Sequence, residues 1–236
     1  IPVIGVSNGI LESVVSFDGK KKFSWRHRYP IVPYYVMIAI SNYVEFQEEY
    51  NNGIDSFPLI YYVFNDDLSS SQEGVMDLPE VFDLFTNLFG PYPFREEKYG
   101  MTQLGFYGGI ENQTNTIINN MNIGWFEPSV HELAHSWFAD MITCETWHHG
   151  WLNEGFATYA NGLWVEHKNG LQAYNNFMQS MSYYGSGTIY LQNIDNPFGI
   201  FIPIIYNKGA WVLHMLRGIM GDEVFFDVLY TYSTSQ

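Results

Sequence analysis

Residues 131–159 read HELAHSWFADMITCETWHHGWLNEGFATY, and this stretch decides which fold and which kind of site the chain can form. His131 and His135 are four positions apart, so on a helix both imidazoles face one side and can reach one metal ion at about 2.0–2.1 Å. Glu132 lies beside such an ion, where it can take a proton from a metal-bound water. A structural alternative is open, because Ser129 and Glu132 also fit the S-x-x-E box that caps a helix.

The third metal ligand is predicted from the residues after His135. A three-histidine site needs a glycine and then a histidine at the positions that Phe138 and Met141 occupy, so that class is excluded. Glu154 comes after His135 with eighteen residues between them, which lets a second helix return and offer a carboxylate from its first turn. Two histidines and one glutamate leave a fourth zinc position open for water, as in catalytic rather than structural sites.

The composition is that of a folded, acidic protein. With 236 residues, 47% of them hydrophobic, the chain can form one large domain or one domain plus part of another. The net charge of −15 argues against nucleic acid or anionic lipid as a partner. No run of 18 apolar residues is present, so no membrane segment is expected in this chain. Its single cysteine, Cys144, excludes an internal disulfide.

The first residues, Ile1-Pro2-Val3, have no initiating Met and no signal-peptide pattern. We therefore expect an amino terminus that has been cut or processed. Neither a compartment nor an oligomeric state is indicated by the sequence.

Hydrophobic patterning predicts a β segment, residues 1–64, followed by a mostly helical region, residues 65–236. Asp18-Gly19 is a hairpin turn signal between two of the predicted strands. The predicted strands are 11–17, 22–25, 34–40, 59–64 and 116–118, and residues 41–56 are predicted to form a polar loop. The predicted helices are 78–88, 129–141, 154–167 and 208–220, the last with its inward face formed by Trp211, Val212, Met215, Leu216 and Ile219.

The 131–159 stretch resembles the zinc signature of the gluzincin aminopeptidases, the family of aminopeptidase N and the leukotriene-processing epoxide hydrolase. Two further motifs occur in the order typical of that family. Residues 108–112, GGIEN, are similar to its Gly-x-Met-Glu-Asn exopeptidase motif, with Ile110 in place of Met. Residues 206–210, YNKGA, resemble the segment that carries its catalytic tyrosine. Residues 7–9 and 23–43 look like the last strands of its saddle-shaped β domain.

The resemblance implies an α+β fold: a thermolysin-like zinc domain, mostly helical with a small sheet, at residues 65–236. Residues 1–64 would be the end of the β-saddle domain, and the chain would be a fragment without the helical carboxy-terminal domain. The implied activity is that of a zinc aminopeptidase acting on peptides with a free amino terminus. One Zn²⁺ would be held by His131, His135 and Glu154, with Glu132 as the base.

The other motifs carry the remaining implied roles. Glu111 would hold the α-ammonium of the substrate by a charge-assisted hydrogen bond, so that only the first peptide bond reaches the water. Tyr206 would stabilise the oxyanion, and the backbone of Gly108 and Gly109 would align the peptide as an added strand. Taken alone, Glu111 also fits a solvated turn, and Tyr206 fits a core aromatic in a chain with 18 tyrosines.

Three other functions stay open on the sequence alone. A zinc endopeptidase would use the same metal site without needing Glu111, and an epoxide hydrolase of the same family would have these same residues. A non-catalytic, zinc-stabilised interaction module is the alternative from another class, and the presence of Glu132 and Tyr206 argues against it.

The remaining histidines and the cysteine are predicted to have no catalytic role. His148 and His149 precede Gly150 and are interpreted as polar turn residues rather than ligands. Cys144 is interpreted as a small buried residue rather than a nucleophile. The histidines without metal-ligand spacing are interpreted as ordinary surface or core residues: His27, His167 and His214.

Overall fold

The computed structural model describes residues 3–122, 126–196 and 199–235. The amino-terminal Ile1-Pro2 lies outside the described residues. The chain forms two compact units, unit 1 comprising Ile1–Pro79 with Tyr92–Ser136 and unit 2 comprising Glu80–Pro91 with Trp137–Gln236. The fold combines helices and β-strands, and the domain boundary near residue 65 stays a prediction.

Unit 1 contains the strands. An antiparallel pair joins β1 and β4, a hairpin joins β2 and β3 through Asp18-Gly19, and the other five strands form one sheet in the order β5-β6-β7-β9-β8. In this sheet β6, β7 and β9 are parallel, while β5 and β8 run antiparallel to their neighbours at the two edges. The strands are β1 (Ile4–Ser7), β2 (Ile10–Phe17), β3 (Lys20–Arg26), β4 (Ile38–Ser41), β5 (Val44–Asn51), β6 (Ser56–Val63), β7 (Tyr99–Gln103), β8 (Gly109–Ile110) and β9 (Asn115–Ile118).

Two predictions for the β segment were wrong. Residues 41–56 are mostly strand rather than loop, because β5 pairs along its full length with β6 and the Asn52-Gly53 region makes the turn. The polar residues of β5 are compatible with a strand since it lies at a sheet edge. The run at 34–40 begins in a 3₁₀ helix, Pro33–Tyr35, because Pro33 fixes the backbone angle of a helical first position.

Unit 1 also contains two helices. Helix α1 (Leu68–Gly74) follows β6, and helix α3 (Phe126–Ala134) packs along β8 and β9. One core cluster forms between β1, β4, β6 and β9 from apolar side chains: Val6, Met37, Ala39, Tyr43, Tyr62 and Ile117. Because α3 lies against the β8 edge, the residues just after β8 are brought beside this helix.

Unit 2 is helical. It contains α2 (Leu78–Phe89) apart from its first two residues, α4 (Trp151–Ser180), α5 (Gly209–Met220) and α6 (Asp222–Thr234). The helix predicted from 129 to 141 is interrupted, because the segment Ser136–Met141 that follows α3 contains two residues with non-helical backbone angles, Phe138 and Ala139. Gly170 has φ 79° and breaks α4, and the helix predicted at 154–167 continues beyond this break to Ser180. Residues 182–196 and 199–203 are largely irregular, and Pro197-Phe198 lie outside the described residues.

The predicted inward face of the last helix was wrong. Met215, Leu216 and Ile219 are exposed, and the buried residues of α5 are Gly209, Ala210, Leu213 and Arg217. Small residues face the neighbouring helix here because α4 and α5 come close together, and Arg217 is buried because carboxylates surround its guanidinium. Within the described ranges, no helix has the length and apolarity needed to span a bilayer.

Candidate metal centre

On helix α3 the imidazole rings of His131 and His135 converge. Their Nε2 atoms are 3.1 Å apart, close to the separation of about 3.3 Å that two nitrogens have when each is about 2.0–2.1 Å from a tetrahedral zinc ion. His135 is 1% exposed, and the opposite face of the helix is buried through Val130 and Leu133. The imidazoles are therefore held by a packed helix in the arrangement that a metal ion requires.

Glu132 is not part of a helix cap. Helix α3 extends back to Phe126, so Ser129 is inside the helix and cannot be its first capping residue. Glu132 itself is 8% exposed although it is an acid. The structural alternative left open by the sequence is therefore rejected.

The edge strand β8 brings the GGIEN motif to this helix. A Cβ placed on Gly109 would lie 2.6 Å from Cγ and Cδ of Glu132, so only a residue without a side chain fits against this carboxylate in its present position. Glu111 comes directly after the strand, and one ligand atom each from Glu111, Glu132 and His135 lie within 4.8 Å of one another. Unit 1 thus brings the carboxylates of Glu111 and Glu132 close to the histidine pair of α3.

Sequence reasoning missed the anchor of this edge. Asn112 is 5% exposed, and its side-chain amide donates to the carbonyl of Tyr35 at 3.1 Å. Its backbone N–H donates to Ile110 O at 2.9 Å, which turns the chain at Glu111. The signal was present, since Asn112 is the last residue of the motif, but its partner 77 positions away could not be read from the sequence.

Unit 2 carries the third predicted ligand, Glu154. It lies in the first turn of α4, as predicted, with its backbone N–H donating to Gly150 O at 3.1 Å. Its side chain is among the buried ones, since the residue is 3% exposed. A carboxylate at this depth needs a cation or hydrogen-bond donors to offset its desolvation, which is compatible with the role of a metal ligand.

Tyr206 lies in a wide turn before α5. The turn, Ile204–Lys208, is π-helical, and Tyr206 is half-buried against an apolar cluster. The buried members of this cluster are Leu191, Ile200, Ile204 and Ile205, with Trp147 and Trp151 packed at its border.

The other histidines and the cysteine have neighbours that account for them. Burial raises the pKa of Cys144 to about 11, with a smaller contribution from Glu154, so its thiol stays protonated at neutral pH. His27 lies 2.8 Å from Glu97, His167 lies 3.0 Å from Glu80, and His214 lies 2.7 Å from the hydroxyl of Tyr174. His148 and His149 both contact the ring of Tyr190.

Comparison with known sequences places the chain in a family. Residues 79–235 match the family model described as the peptidase family M1 domain. Aminopeptidase M1-B of Oryza sativa subsp. japonica is 36% identical over 114 residues, 43% of this chain and 13% of that protein. Leucine aminopeptidase 2 of Aspergillus clavatus is 26% identical over 235 residues, 91% of this chain and 37% of that protein. The chain therefore spans well under half the length of these relatives.

Solved structures share the fold. An M1 zinc metallopeptidase from Deinococcus radiodurans has a TM-score of 0.87 at 23% identity, over 99% of this chain and 53% of that one. A mutant of it, solved with a Tyr-Ser-Ala substrate, has a TM-score of 0.83 at 24% identity, over 99% of this chain and 54% of that one. Legionella pneumophila aminopeptidase A, in complex with aspartic acid, has a TM-score of 0.90 at 18% identity, over 98% of this chain and 29% of that one.

Proposed function

The chain belongs to peptidase family M1, and on this basis we propose that it is a zinc-dependent aminopeptidase that hydrolyses the first peptide bond of peptides with a free amino terminus. The resemblance to the gluzincin aminopeptidases is confirmed by the family match. The proposal includes the finer architecture, a thermolysin-like catalytic domain at residues 65–236 preceded by the last strands of a β-saddle domain at residues 1–64.

One observation carries the proposal. The Nε2 atoms of His131 and His135 converge to 3.1 Å, and carboxylate oxygens of Glu132 and Glu111 lie within 4.8 Å of a His135 ring nitrogen and of each other. A metal-stabilised binding module would need the two histidines but neither carboxylate. A hydrolase that acts at a free amino terminus needs a base and an ammonium anchor beside the metal, and these two acids supply them.

His131, His135 and Glu154 would hold the zinc ion. Two imidazoles and one carboxylate are a donor set that zinc uses in catalytic sites, with one position left for water or substrate. When bound, zinc acts as a Lewis acid that lowers the pKa of water and polarises a carbonyl oxygen.

Glu132 acts as the general base. Its carboxylate is buried next to Gly109 at the sheet edge, so it accepts a proton from the attacking water in a site with little competing solvent. The same carboxyl then returns the proton to the amine that leaves. Gly109 matters here because its missing side chain lets the scissile region of a peptide and the carboxylate of Glu132 approach each other.

Glu111 anchors the substrate and sets the cleavage position. It comes directly after the two-residue strand β8, and the backbone of Gly108 and Gly109 would align the peptide as an added strand. A carboxylate that binds the α-ammonium fixes the distance from the amino terminus to the water, so only the first peptide bond is cleaved. Tyr206 would donate its phenol hydrogen to the oxyanion.

The ligands of the structural relatives support the substrate class. The Deinococcus enzyme was solved with a Tyr-Ser-Ala tripeptide, and the Legionella enzyme with aspartic acid. A free peptide and a free amino acid are the substrate and the product that an aminopeptidase binds. The acidic charge of this chain, −15, is compatible with cationic amino termini as ligands.

The test replaces Glu132 by Gln in the zinc-loaded protein. We expect zinc content near one ion per chain in both forms, and aminopeptidase activity on a panel of aminoacyl fluorogenic substrates in the unsubstituted protein alone. Chelation should abolish this activity and added zinc should restore it. Turnover by Glu132→Gln at the unsubstituted rate would reject the mechanism, and equal hydrolysis of amino-blocked and free peptides would favour an endopeptidase.

A further inference from the structure

A short turn before α4 holds the chain that leads to Tyr206. The turn is the 3₁₀ helix Trp147–His149, and its residue His148 makes two hydrogen bonds with the backbone of Leu191. The backbone N–H of Leu191 donates to His148 O at 3.0 Å, and Nδ1 of His148 donates to Leu191 O. The imidazole also stacks on Tyr190, with ring centroids 5.0 Å apart and planes at 7°.

Leu191 connects this contact to the tyrosine. Its side chain is 7% exposed and belongs to the apolar cluster with Ile204 and Ile205, against which Tyr206 packs. Ile204 and Ile205 directly precede Tyr206 in the same π-helical turn. A fixed Leu191 therefore holds one side of the apolar cluster against which the aromatic ring of Tyr206 packs.

The turn that carries Tyr206, Ile204–Lys208, has an uncommon geometry. π-helical turns are rare, appear mostly as single turns and are frequently found at functional sites. A second contact is made by Lys208, whose Nζ donates to Gly187 O at 2.6 Å. The segment before Tyr206 is thus tied at two points, one of them the His148 side chain.

We propose that His148 is a positioning residue for Tyr206: by binding the backbone of Leu191 and stacking on Tyr190, it orients the tyrosine that stabilises the oxyanion. This inference rests on the proposed function, because the role of Tyr206 belongs to it. His148 itself touches neither substrate nor metal in this scheme, and it acts through the apolar cluster.

The chain offers matched variants. His148→Ala removes the donor and the ring, whereas His148→Asn keeps a side-chain N–H close to the position of Nδ1 and loses only the stacking. His149→Ala is the control, since His149 is exposed and contacts the ring of Tyr190 edge-on at 5.2 Å. Hydrogen exchange is measured over residues 190–191 and 204–208, together with zinc content, kcat and KM.

In the zinc-loaded protein, His148→Ala should raise amide exchange of both segments and lower kcat by roughly tenfold, with KM changed far less, because a misplaced transition-state donor reduces kcat. His148→Asn should restore most of kcat, and His149→Ala should match the unsubstituted protein. In a Tyr206→Phe background, His148→Ala should reduce kcat by less than about twofold further, because the hydroxyl it orients is gone.

The outcomes separate the two ideas. An amide exchange rate at residues 204–208 that His148→Ala leaves unchanged would overturn the positioning role. The role would also be overturned if the kcat of the double variant fell by the full product of the losses caused by His148→Ala and Tyr206→Phe separately. Absence of aminopeptidase activity in the unsubstituted protein rejects the proposed function instead, and the exchange data then still decide whether His148 orders the turn that carries Tyr206.

Discussion

Gly155 and Gly209 touch through their backbones. A Cβ built on Gly155 would lie 2.8 Å from Cα of Gly209, and one built on Gly209 would lie 2.9 Å from Cα of Gly155. Gly155 is the residue after Glu154, and Gly209 is three residues after Tyr206. The close approach of α4 and α5 therefore sets the spacing between the helix that carries the proposed ligand and the turn that carries the proposed tyrosine.

We predict that Gly155→Ala destabilises the protein in spite of the higher helix propensity of alanine. Overpacking against rigid backbone costs about 1–3 kcal/mol, which exceeds the propensity gain of up to about 1 kcal/mol. The melting temperature should fall, and activity should fall with it. Gly218→Ala on α5 is the control and should be neutral or stabilising, because among the described residues no atom beyond its chain neighbours and its own helix backbone lies within 4 Å of the added Cβ. A melting temperature for Gly155→Ala at or above the unsubstituted value would contradict the contact.

Replacing Glu111 by Gln should weaken recognition of the free amino terminus. A hydrogen bond to a charged group contributes about 1.5–3 kcal/mol, so kcat/KM for a free peptide should drop by about 10–150-fold. The kcat/KM for amino-acetylated peptides should fall much less, so the ratio of kcat/KM between free and acetylated peptides should become smaller. Glu12→Gln, an exposed acid on β2, serves as the charge-matched control. If this ratio of kcat/KM values were unchanged in Glu111→Gln, Glu111 would not be the residue that binds the amino terminus.

Arg217 should contribute much more to stability than an exposed arginine. Its guanidinium is bidentate to Glu166 at 2.5 and 2.9 Å and also contacts Asp222 at 2.8 Å, while the residue is 8% exposed. Arg217→Met should lower the free energy of unfolding by about 2–3 kcal/mol. Breaking a fully buried ion pair costs about 3–5 kcal/mol, and the loss is smaller here because both carboxylates reach solvent. Arg26→Met, which breaks an exposed pair with Glu12, should cost less than about 1 kcal/mol. Urea unfolding measures both, and equal costs would refute the prediction.

Lys98 should make stability depend on pH in the alkaline range. Burial lowers the pKa of this lysine to about 7, opposed by the charge of Glu97, and Nζ lies 2.6 Å from Thr114 O. The ordinary pKa of a lysine is 10.5, so between pH 7 and pH 10.5 Lys98 is protonated in the unfolded chain and deprotonated in the folded chain. The free energy of unfolding should therefore rise with pH across this window, by at most about 1.4 kcal/mol per pH unit.

Lys98→Met provides the reference for that pH dependence, because it has no titrating group at this position. The stability of the unsubstituted protein relative to Lys98→Met should increase from pH 7 to pH 10 and stay level below pH 7. Urea unfolding at several pH values measures the difference. A difference that does not change with pH would mean that Lys98 titrates at its ordinary pKa.

The sequence was informative where structure is local. The hairpin around Asp18-Gly19, helix α2 and the placement of Glu154 in the first turn of α4 were predicted correctly because turn residues and hydrophobic spacing act over a few positions. Strand β5 was missed because its polar composition reflects an edge position, which depends on the order of strands in the sheet.

The inward face of α5 was misjudged for a related reason. The hydrophobic stripe of this helix ends at Ile219, which is 81% exposed, while the glycine and alanine side faces α4. Periodicity finds an apolar face, but close helix packing prefers small residues, and only the neighbouring helix shows which side is used.

The geometry of the proposed metal ligands on helix α3 is encoded by the sequence alone. His131, Glu132 and His135 lie on one face because a helical repeat of 3.6 residues requires it, and no distant contact is needed. The contact of Gly109 with Glu132 and the hold of His148 on Leu191 depend instead on the tertiary structure. Such contacts join residues more than twenty positions apart, and they form because separate elements pack together, which no local pattern encodes.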